Sequence, residues 1–105
     1  MTGADDDRWM QRCLELAQQA AAHGEVPVGA VVVANGAVLG EGRNRVEEMR
    51  SPLAHAEMGA LQQALAAVGE KRLPDTTLYC TLEPCFLCAG AILHVRCTGH
   101  HLVDA

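Results

Sequence analysis

A run of β-branched residues that ends in a turn signal limits the folds open to this chain more than any other stretch. Residues 30–34 read Ala-Val-Val-Val-Ala, and Asn35-Gly36 follows them directly. The density of β-branched side chains favours a strand that is buried on both faces. Asn-Gly is a strong signal for a tight β-hairpin. The sequence therefore predicts a hairpin whose second strand covers residues 37–42.

Helical patterns surround this hairpin. Apolar residues recur at helical spacing in residues 7–23 and 54–68, whereas residues 76–81 have the composition of a strand. Residues 85–95 are apolar almost all round, which indicates a helix that is buried or covered by a partner. Residues 43–53 are expected to form a loop, and residues 99–103 a weak edge strand. This order predicts an α/β fold with a mixed sheet and helices on its faces.

Length and composition limit the classes of function that the chain can have. A chain of 105 residues that is 50% hydrophobic and 20% charged is expected to form one globular domain over residues 1–105. Its net charge of -5 and its three aromatic residues argue against broad capture of nucleic acid, so no DNA partner is expected. No apolar run approaches the roughly 20 residues that cross a bilayer, and the first residues are acidic. We expect a cytoplasmic protein without a membrane partner.

Two short motifs carry the chemistry: His55-Ala56-Glu57, and Pro84-Cys85-Phe86-Leu87-Cys88. Each is predicted to lie at the N-terminus of a helix. Cys85 and Cys88 share a helix face at a spacing that suits zinc, and the helix dipole there favours thiolates. With His55 they form three ligands, which leaves the fourth tetrahedral position open for water, as in a catalytic zinc site.

Glu57 follows His55 by two residues. That spacing is too close for both side chains to bind one metal comfortably from a helix, but it allows the carboxylate to reach water at the metal. Glu57 is therefore the predicted proton shuttle. Such a site performs hydrolytic deamination of a ring carbon, with the proton passed to a ring nitrogen.

Plainer interpretations exist for each residue taken alone. Cys85 and Cys88 could form a redox pair or be two buried thiols, His55 could cap a helix, and Glu57 could be a solvated helix charge. The two motifs together favour zinc. The other cysteines, Cys13, Cys80 and Cys97, are predicted to be structural.

His-Ala-Glu followed by Pro-Cys-x-x-Cys resembles the signature of the zinc-dependent cytidine and deoxycytidylate deaminase family. Further segments are similar to the bacterial tRNA adenosine deaminases within that family: residues 25–32, 40–45, 54–57 and 77–92. The resemblance implies a cytidine deaminase-like fold, which is a three-layer α/β/α arrangement with a central mixed sheet. The C-terminal strands and helix of that fold are expected to be missing after Arg96.

The resemblance also implies a substrate and a set of contacts. It places one zinc ion per chain on His55, Cys85 and Cys88 and the proton shuttle at Glu57. The implied reaction converts adenosine to inosine at the wobble position of a tRNA anticodon loop, and the implied assembly is a homodimer. The residues implied to contact the base are Val28, Asn44, Ala56 and Pro84.

Two rival functions fit the same motifs. One is a deaminase of a free nucleobase or nucleoside such as cytosine, guanine or cytidine, which the acidic charge favours. The other is a catalytically silent zinc-binding subunit with the deaminase fold, which needs a partner to complete its pocket.

Overall fold

A computed structural model of the chain describes residues 3–82 and 86–102. Within these residues no helix has both the length and the apolar character needed to cross a membrane. The helices are α1 (Gly3–Ala22), α2 (Val46–Met49), α3 (Ala56–Val68) and α4 (Phe86–His94), and the strands are β1 (Gly29–Ala34), β2 (Ala37–Arg43), β3 (Thr77–Cys80) and β4 (Gly99–Leu102).

The described strands form one mixed sheet in the order β2-β1-β3-β4. β1 pairs antiparallel with both β2 and β3, whereas β3 and β4 are parallel. The predicted hairpin is confirmed: Asn35 and Gly36 have φ angles of 52° and 74°, the left-handed pair that a tight two-residue turn requires. The weak strand at the C-terminal end is also confirmed, as the parallel edge strand β4.

The two faces of the sheet pack against different helices. Val31 and Val33 of β1 lie in one apolar cluster with Trp9 and Cys13 of α1. Ala30 and Val32 point the other way, into a larger cluster that contains the buried alanines of α3. Side chains of a strand alternate between faces, so a β1 buried on both sides demands a layer of helix on each. The predicted three-layer α/β/α fold is confirmed.

Helix α4 is only half buried. Ala91, Ile92 and Val95 in and just after it pack against the larger cluster. On the opposite side Leu93 is 77% exposed and Leu87 is 39% exposed. The apolar helix predicted from residues 85–95 therefore covers the sheet with one face and leaves leucines on the other.

Two predicted boundaries were wrong. Helix α1 begins at Gly3, earlier than the predicted residue 7, because Asp5 and Asp6 lie within its first turn, where the helix dipole stabilises acidic side chains. Residues 43–53 are not loop throughout, since α2 lies inside them. This single helical turn is stabilised from outside: the buried carboxylate of Glu25 accepts hydrogen bonds from the backbone N–H groups of Glu47 and Glu48.

Small residues allow α3 to lie directly on β2. A Cβ at Gly42 would meet the carbonyl oxygen of Ala56 at 2.1 Å, and one at Gly40 would meet that of Ala60 at 2.2 Å. Ala56 and Ala60 are themselves completely buried. Glycines on the strand and alanines on the helix thus bring the two backbones into contact and place the first turn of α3 at the end of the sheet.

An ion pair between α1 and β2 should make stability depend on acidity. Arg12 binds Glu41 through two hydrogen bonds of 2.7 and 2.9 Å, which holds the pKa of Glu41 below its usual value of 4.5. The stabilisation is present above about pH 4.5 and disappears as the pH falls through the folded-state pKa. We expect Glu41→Gln to reduce the free energy of unfolding by about 1 kcal/mol at pH 7 and by less at pH 3.

Urea unfolding at both pH values measures this difference. Glu15→Gln is the matched control, because Glu15 binds the same guanidinium through one bond of 3.1 Å and is more exposed. It should have a smaller effect at pH 7. An equal loss for Glu41→Gln at both pH values would contradict the ionic origin of the stabilisation.

Candidate metal and base-binding site

The starts of α3 and α4 bring the predicted metal and acid residues together. His55 is the N-cap residue of α3, with an extended backbone (φ -80°, ψ 153°), and Glu57 lies in the first turn. Cys88 lies in the first turn of α4. The helices begin next to each other at the same end of the sheet, so residues 33 positions apart along the chain become neighbours.

The imidazole of His55 and the thiol of Cys88 have the separation of two ligands of one zinc ion. Cys88 is completely buried, and its Sγ lies 3.6 Å from Nδ1 of His55. Zinc bonds of about 2.3 Å to sulfur and about 2.05 Å to nitrogen at a tetrahedral angle place the two atoms about 3.6 Å apart. The distance between the two atoms therefore matches the separation of two ligands of one zinc ion.

The third predicted ligand, Cys85, lies outside the described residues, as does Pro84. Among the residues that the structure does describe, no group of three His, Cys, Asp or Glu side chains is arranged to hold a metal ion. His55 and Cys88 are therefore two candidate donors, and the residue type of Cys85 matches the third donor of the predicted catalytic zinc site.

Glu57 is buried and lines the same cavity as His55. Its negative charge also acts on the neighbouring thiol of Cys80. Burial, and after it the charge of Glu57, raise the pKa of Cys80 to about 12, so this thiol stays protonated and donates to the carbonyl oxygen of Leu82 at 3.0 Å. A buried carboxylate that lines one cavity with a candidate metal ligand can exchange protons with a molecule bound there.

A cavity of about 410 Å³ opens next to His55 and Glu57. Three of the four residues predicted to contact the base, Val28, Asn44 and Ala56, line it. Its volume lies within the range of small-molecule sites. The remaining lining residues are Gly24, Glu25, Val26, Val46, Glu47 and Leu82.

The side-chain amide of Asn44 is a further polar group that this cavity offers to a ligand. Asn44 is only 7% exposed, and its backbone N–H donates to the carbonyl oxygen of Val28 at 3.0 Å. Its side-chain amide makes no hydrogen bond to any residue within the described part of the chain. A buried amide that has both donors and an acceptor to offer favours a ligand with a polar edge, such as a nucleobase.

Sequence reasoning missed part of the cavity wall. Val26 and Leu82 are 58% and 51% exposed at its rim, and Glu25 is buried in its side. Single apolar or acidic residues in connecting segments follow no helical or strand periodicity, so the sequence pattern did not predict that they line a cavity. The sequence Glu-Val-Pro-Val-Gly before β1 was the available indication, because it places Glu25 and Val26 beside Val28.

The predicted structural cysteines lie in the fold as expected. Cys13 is completely buried, and its thiol contacts the carbonyl oxygen of Tyr79 at 3.3 Å. Burial raises the pKa of Cys13 to about 12, which makes it inert. Cys97 contacts the hydroxyl of Thr76 at 3.3 Å. Cys80 differs from the other two, since it lies against the site rather than away from it.

Comparison with known proteins identifies one family. A family model described as the cytidine and deoxycytidylate deaminase zinc-binding region matches residues 4–102. The tRNA-specific adenosine deaminase of Haemophilus influenzae is 49% identical over 92 residues, which are 87% of this chain and 53% of that protein. The chain thus spans about half the length of this relative.

Solved structures agree in fold. A structure from a study of A-to-I editing by tRNA:A34 deaminases has a TM-score of 0.84 and 42% identity, and the match covers 87% of this chain and 66% of the other. Guanine deaminase from Bacillus subtilis has a TM-score of 0.88 and 35% identity, over 97% of this chain and 64% of the other.

Proposed function

Because the chain belongs to the cytidine and deoxycytidylate deaminase zinc-binding family, we propose that it is a hydrolase that converts adenosine to inosine at the wobble position of a tRNA anticodon. The observation that carries the proposal is the 3.6 Å contact between Cys88 and His55, which lines one cavity together with the buried Glu57 and with Asn44. Metal donors, a proton carrier and a polar base contact then surround one space.

His55, Cys85 and Cys88 are proposed to hold one zinc ion per chain. When bound, zinc acts as a Lewis acid that makes water a nucleophile near neutral pH. The two helix N-termini contribute partial positive charge beside the thiolates, which lowers the cost of keeping two sulfur anions at the site.

Glu57 moves the protons of the reaction. It accepts a proton from the attacking water and delivers it to N1 of the adenine ring. It then takes the proton of the hydroxyl group added to C6 and delivers it to the amino group, so that the C–N bond breaks as the C6 carbonyl forms. Water and adenosine are consumed, and inosine and ammonia are released. Burial of Glu57 keeps competing water away from this transfer.

Val28, Asn44, Ala56 and Pro84 are proposed to bind the base. Val28 and Ala56 provide apolar walls, and Asn44 provides the hydrogen bonds to the polar edge. A wobble base lies in an unpaired loop, so its entry into the cavity costs less than extraction from a duplex.

The names of the relatives favour adenosine in tRNA over a free base. The Haemophilus protein and one of the matched structures are tRNA adenosine deaminases, whereas the guanine deaminase match has lower sequence identity. The net charge of -5 disfavours an extended contact with tRNA, and the guanidinium groups of Arg43 and Arg45 are both bound by Glu48. The proposed contact is therefore confined to the anticodon loop. The proposed location is the cytoplasm, which is compatible with a tRNA substrate.

A homodimer is the proposed assembly. The exposed face of α4 carries Leu87 and Leu93, and exposed leucines beside a site are typical of a surface that another chain covers.

Deamination of RNA and of free bases by the zinc-loaded chain tests the proposal. We expect one zinc per chain by elemental analysis, and inosine in an anticodon stem-loop RNA with adenosine at the wobble position. The same RNA with cytidine there should stay unchanged. Ammonia release from free guanine or cytidine without inosine formation in RNA would support the free-base enzyme instead. Bound zinc with no product from any of these substrates would support the silent subunit.

A further inference from the structure

The side chain of Glu25 connects two segments that line the cavity, residues 24–28 and helix α2. Glu25 lies in the connection between α1 and β1, where Gly24, Val26 and Val28 also line the cavity. It is only 6% exposed, although it carries a carboxylate. A buried acid requires a structural or chemical reason, because removing its charge from water is costly unless the charge is satisfied by hydrogen bonds.

Both oxygens of this carboxylate accept hydrogen bonds from the backbone of α2. Oε1 accepts from the backbone N–H of Glu47 at 3.0 Å, and Oε2 accepts from that of Glu48 at 2.7 Å. Both donors lie in the first turn of α2, where backbone N–H groups have no acceptor within the helix, whereas the N–H of Met49 binds the carbonyl oxygen of Arg45 at 2.9 Å. Glu25 therefore supplies the acceptors that allow one isolated turn of helix to form.

Helix α2 and Asn44 belong to the same connecting segment. Asn44 lies two residues before α2, and its backbone N–H binds the carbonyl oxygen of Val28 on the Glu25 side of the cavity. The segment is thus attached to that side at two places, through Val28 at Asn44 and through Glu25 at α2. The N–H of Arg45 also binds the carbonyl oxygen of Ala54 at 2.9 Å, so loss of the Glu25 attachment leaves the segment its backbone bonds at Asn44 and Arg45 and removes those at α2, which carries the cavity residues Val46 and Glu47.

We infer that Glu25 is a positioning residue, which sets the width of the base-binding cavity and the placement of Asn44 by fixing α2 with its two backbone hydrogen bonds. The inference rests on the proposed function, because Asn44 is taken to bind the base. Glu25 does not touch the reacting atoms. Its loss should weaken substrate binding and leave the chemical step nearly unchanged.

Steady-state kinetics and hydrogen exchange of Glu25→Ala test this role. We expect KM for the stem-loop RNA to rise about tenfold, the upper end of the effect of losing one hydrogen bond between neutral groups such as the Asn44 amide and the base, and kcat to stay within about twofold. Amide exchange of residues 44–50 should accelerate by at least about tenfold. Glu25→Gln retains one acceptor for α2, so its KM and exchange rates should fall between those of Glu25→Ala and the native chain.

Glu41→Ala is the matched control, because it also removes a carboxylate that makes two hydrogen bonds but lies away from the cavity. It should lower stability and leave KM and the exchange of residues 44–50 unchanged. A reduced kcat at constant KM in Glu25→Ala would overturn the inference, and so would unchanged KM.

Exchange is measured on the protein alone, so it separates this inference from the proposed function. If the native chain makes no inosine in RNA, the proposed function fails while the exchange result still decides the role of Glu25. Exchange of residues 44–50 that does not change in Glu25→Ala would overturn the inference whatever substrate the chain uses.

Discussion

Glu57→Gln is expected to bind zinc as the native chain does and to lose about 10³- to 10⁴-fold in kcat. The amide has nearly the same shape as the carboxylate, so the packing around this buried position is preserved. An amide cannot accept the proton of the attacking water or deliver it to N1. The measurement is inosine formation at saturating RNA, together with zinc content and the unfolding temperature.

Glu70→Gln is the control for this variant. Glu70 follows α3 at its other end and is exposed, so the same chemical change there should leave kcat unchanged. A Glu57→Gln protein that holds zinc and keeps kcat within about tenfold of the native value would exclude Glu57 as the proton carrier. Loss of zinc in the same variant would instead assign Glu57 to the metal.

Local chemistry made some features of the fold predictable. The hairpin follows from Asn35-Gly36 because only residues that tolerate left-handed backbone fit that turn. The approach of His55 and Cys88 agrees with the expectation from their two motifs, because both residues lie at helix starts and the motifs together are typical of a zinc site. Neither inference required knowledge of which helix residue packs over which strand residue.

Features of the fold that depend on residues far apart in the sequence could not be predicted from local sequence patterns. Helix α2 has four residues and was expected to be loop, because its stabilising acceptors come from Glu25, more than 20 residues earlier. The contact of Gly42 with Ala56 depends on which residue of α3 lies over which residue of β2. Small residues in a sequence indicate close packing without naming the partner.

This glycine contact should be the most sensitive point of the fold. Gly42→Ala adds one methyl group that would lie 2.1 Å from the carbonyl oxygen of Ala56 and 2.7 Å from the backbone nitrogen of Ala60. Both atoms belong to the backbone, so no side chain can rotate away, and the start of α3 must shift. We expect a loss of about 3 kcal/mol in the free energy of unfolding, the upper end of overpacking effects.

Gly59→Ala provides the matched control from the other side of the same contact. A Cβ at Gly59 would meet only the Cα of Gly42, at an ordinary 3.7 Å, and alanine favours the helix by about 0.5 to 1 kcal/mol. One added methyl group should therefore stabilise the protein at residue 59 and destabilise it at residue 42, with opposite shifts of the unfolding temperature.

A shift of α3 also moves His55, which precedes its first turn. Folded Gly42→Ala protein should therefore bind zinc more weakly than Gly59→Ala, because tetrahedral coordination tolerates little change in the separation of His55 and Cys88. Titration of both variants with a competing chelator at a temperature where both are folded measures this difference. Equal zinc affinity would mean that β2 supports the stability of the sheet without positioning the metal ligands.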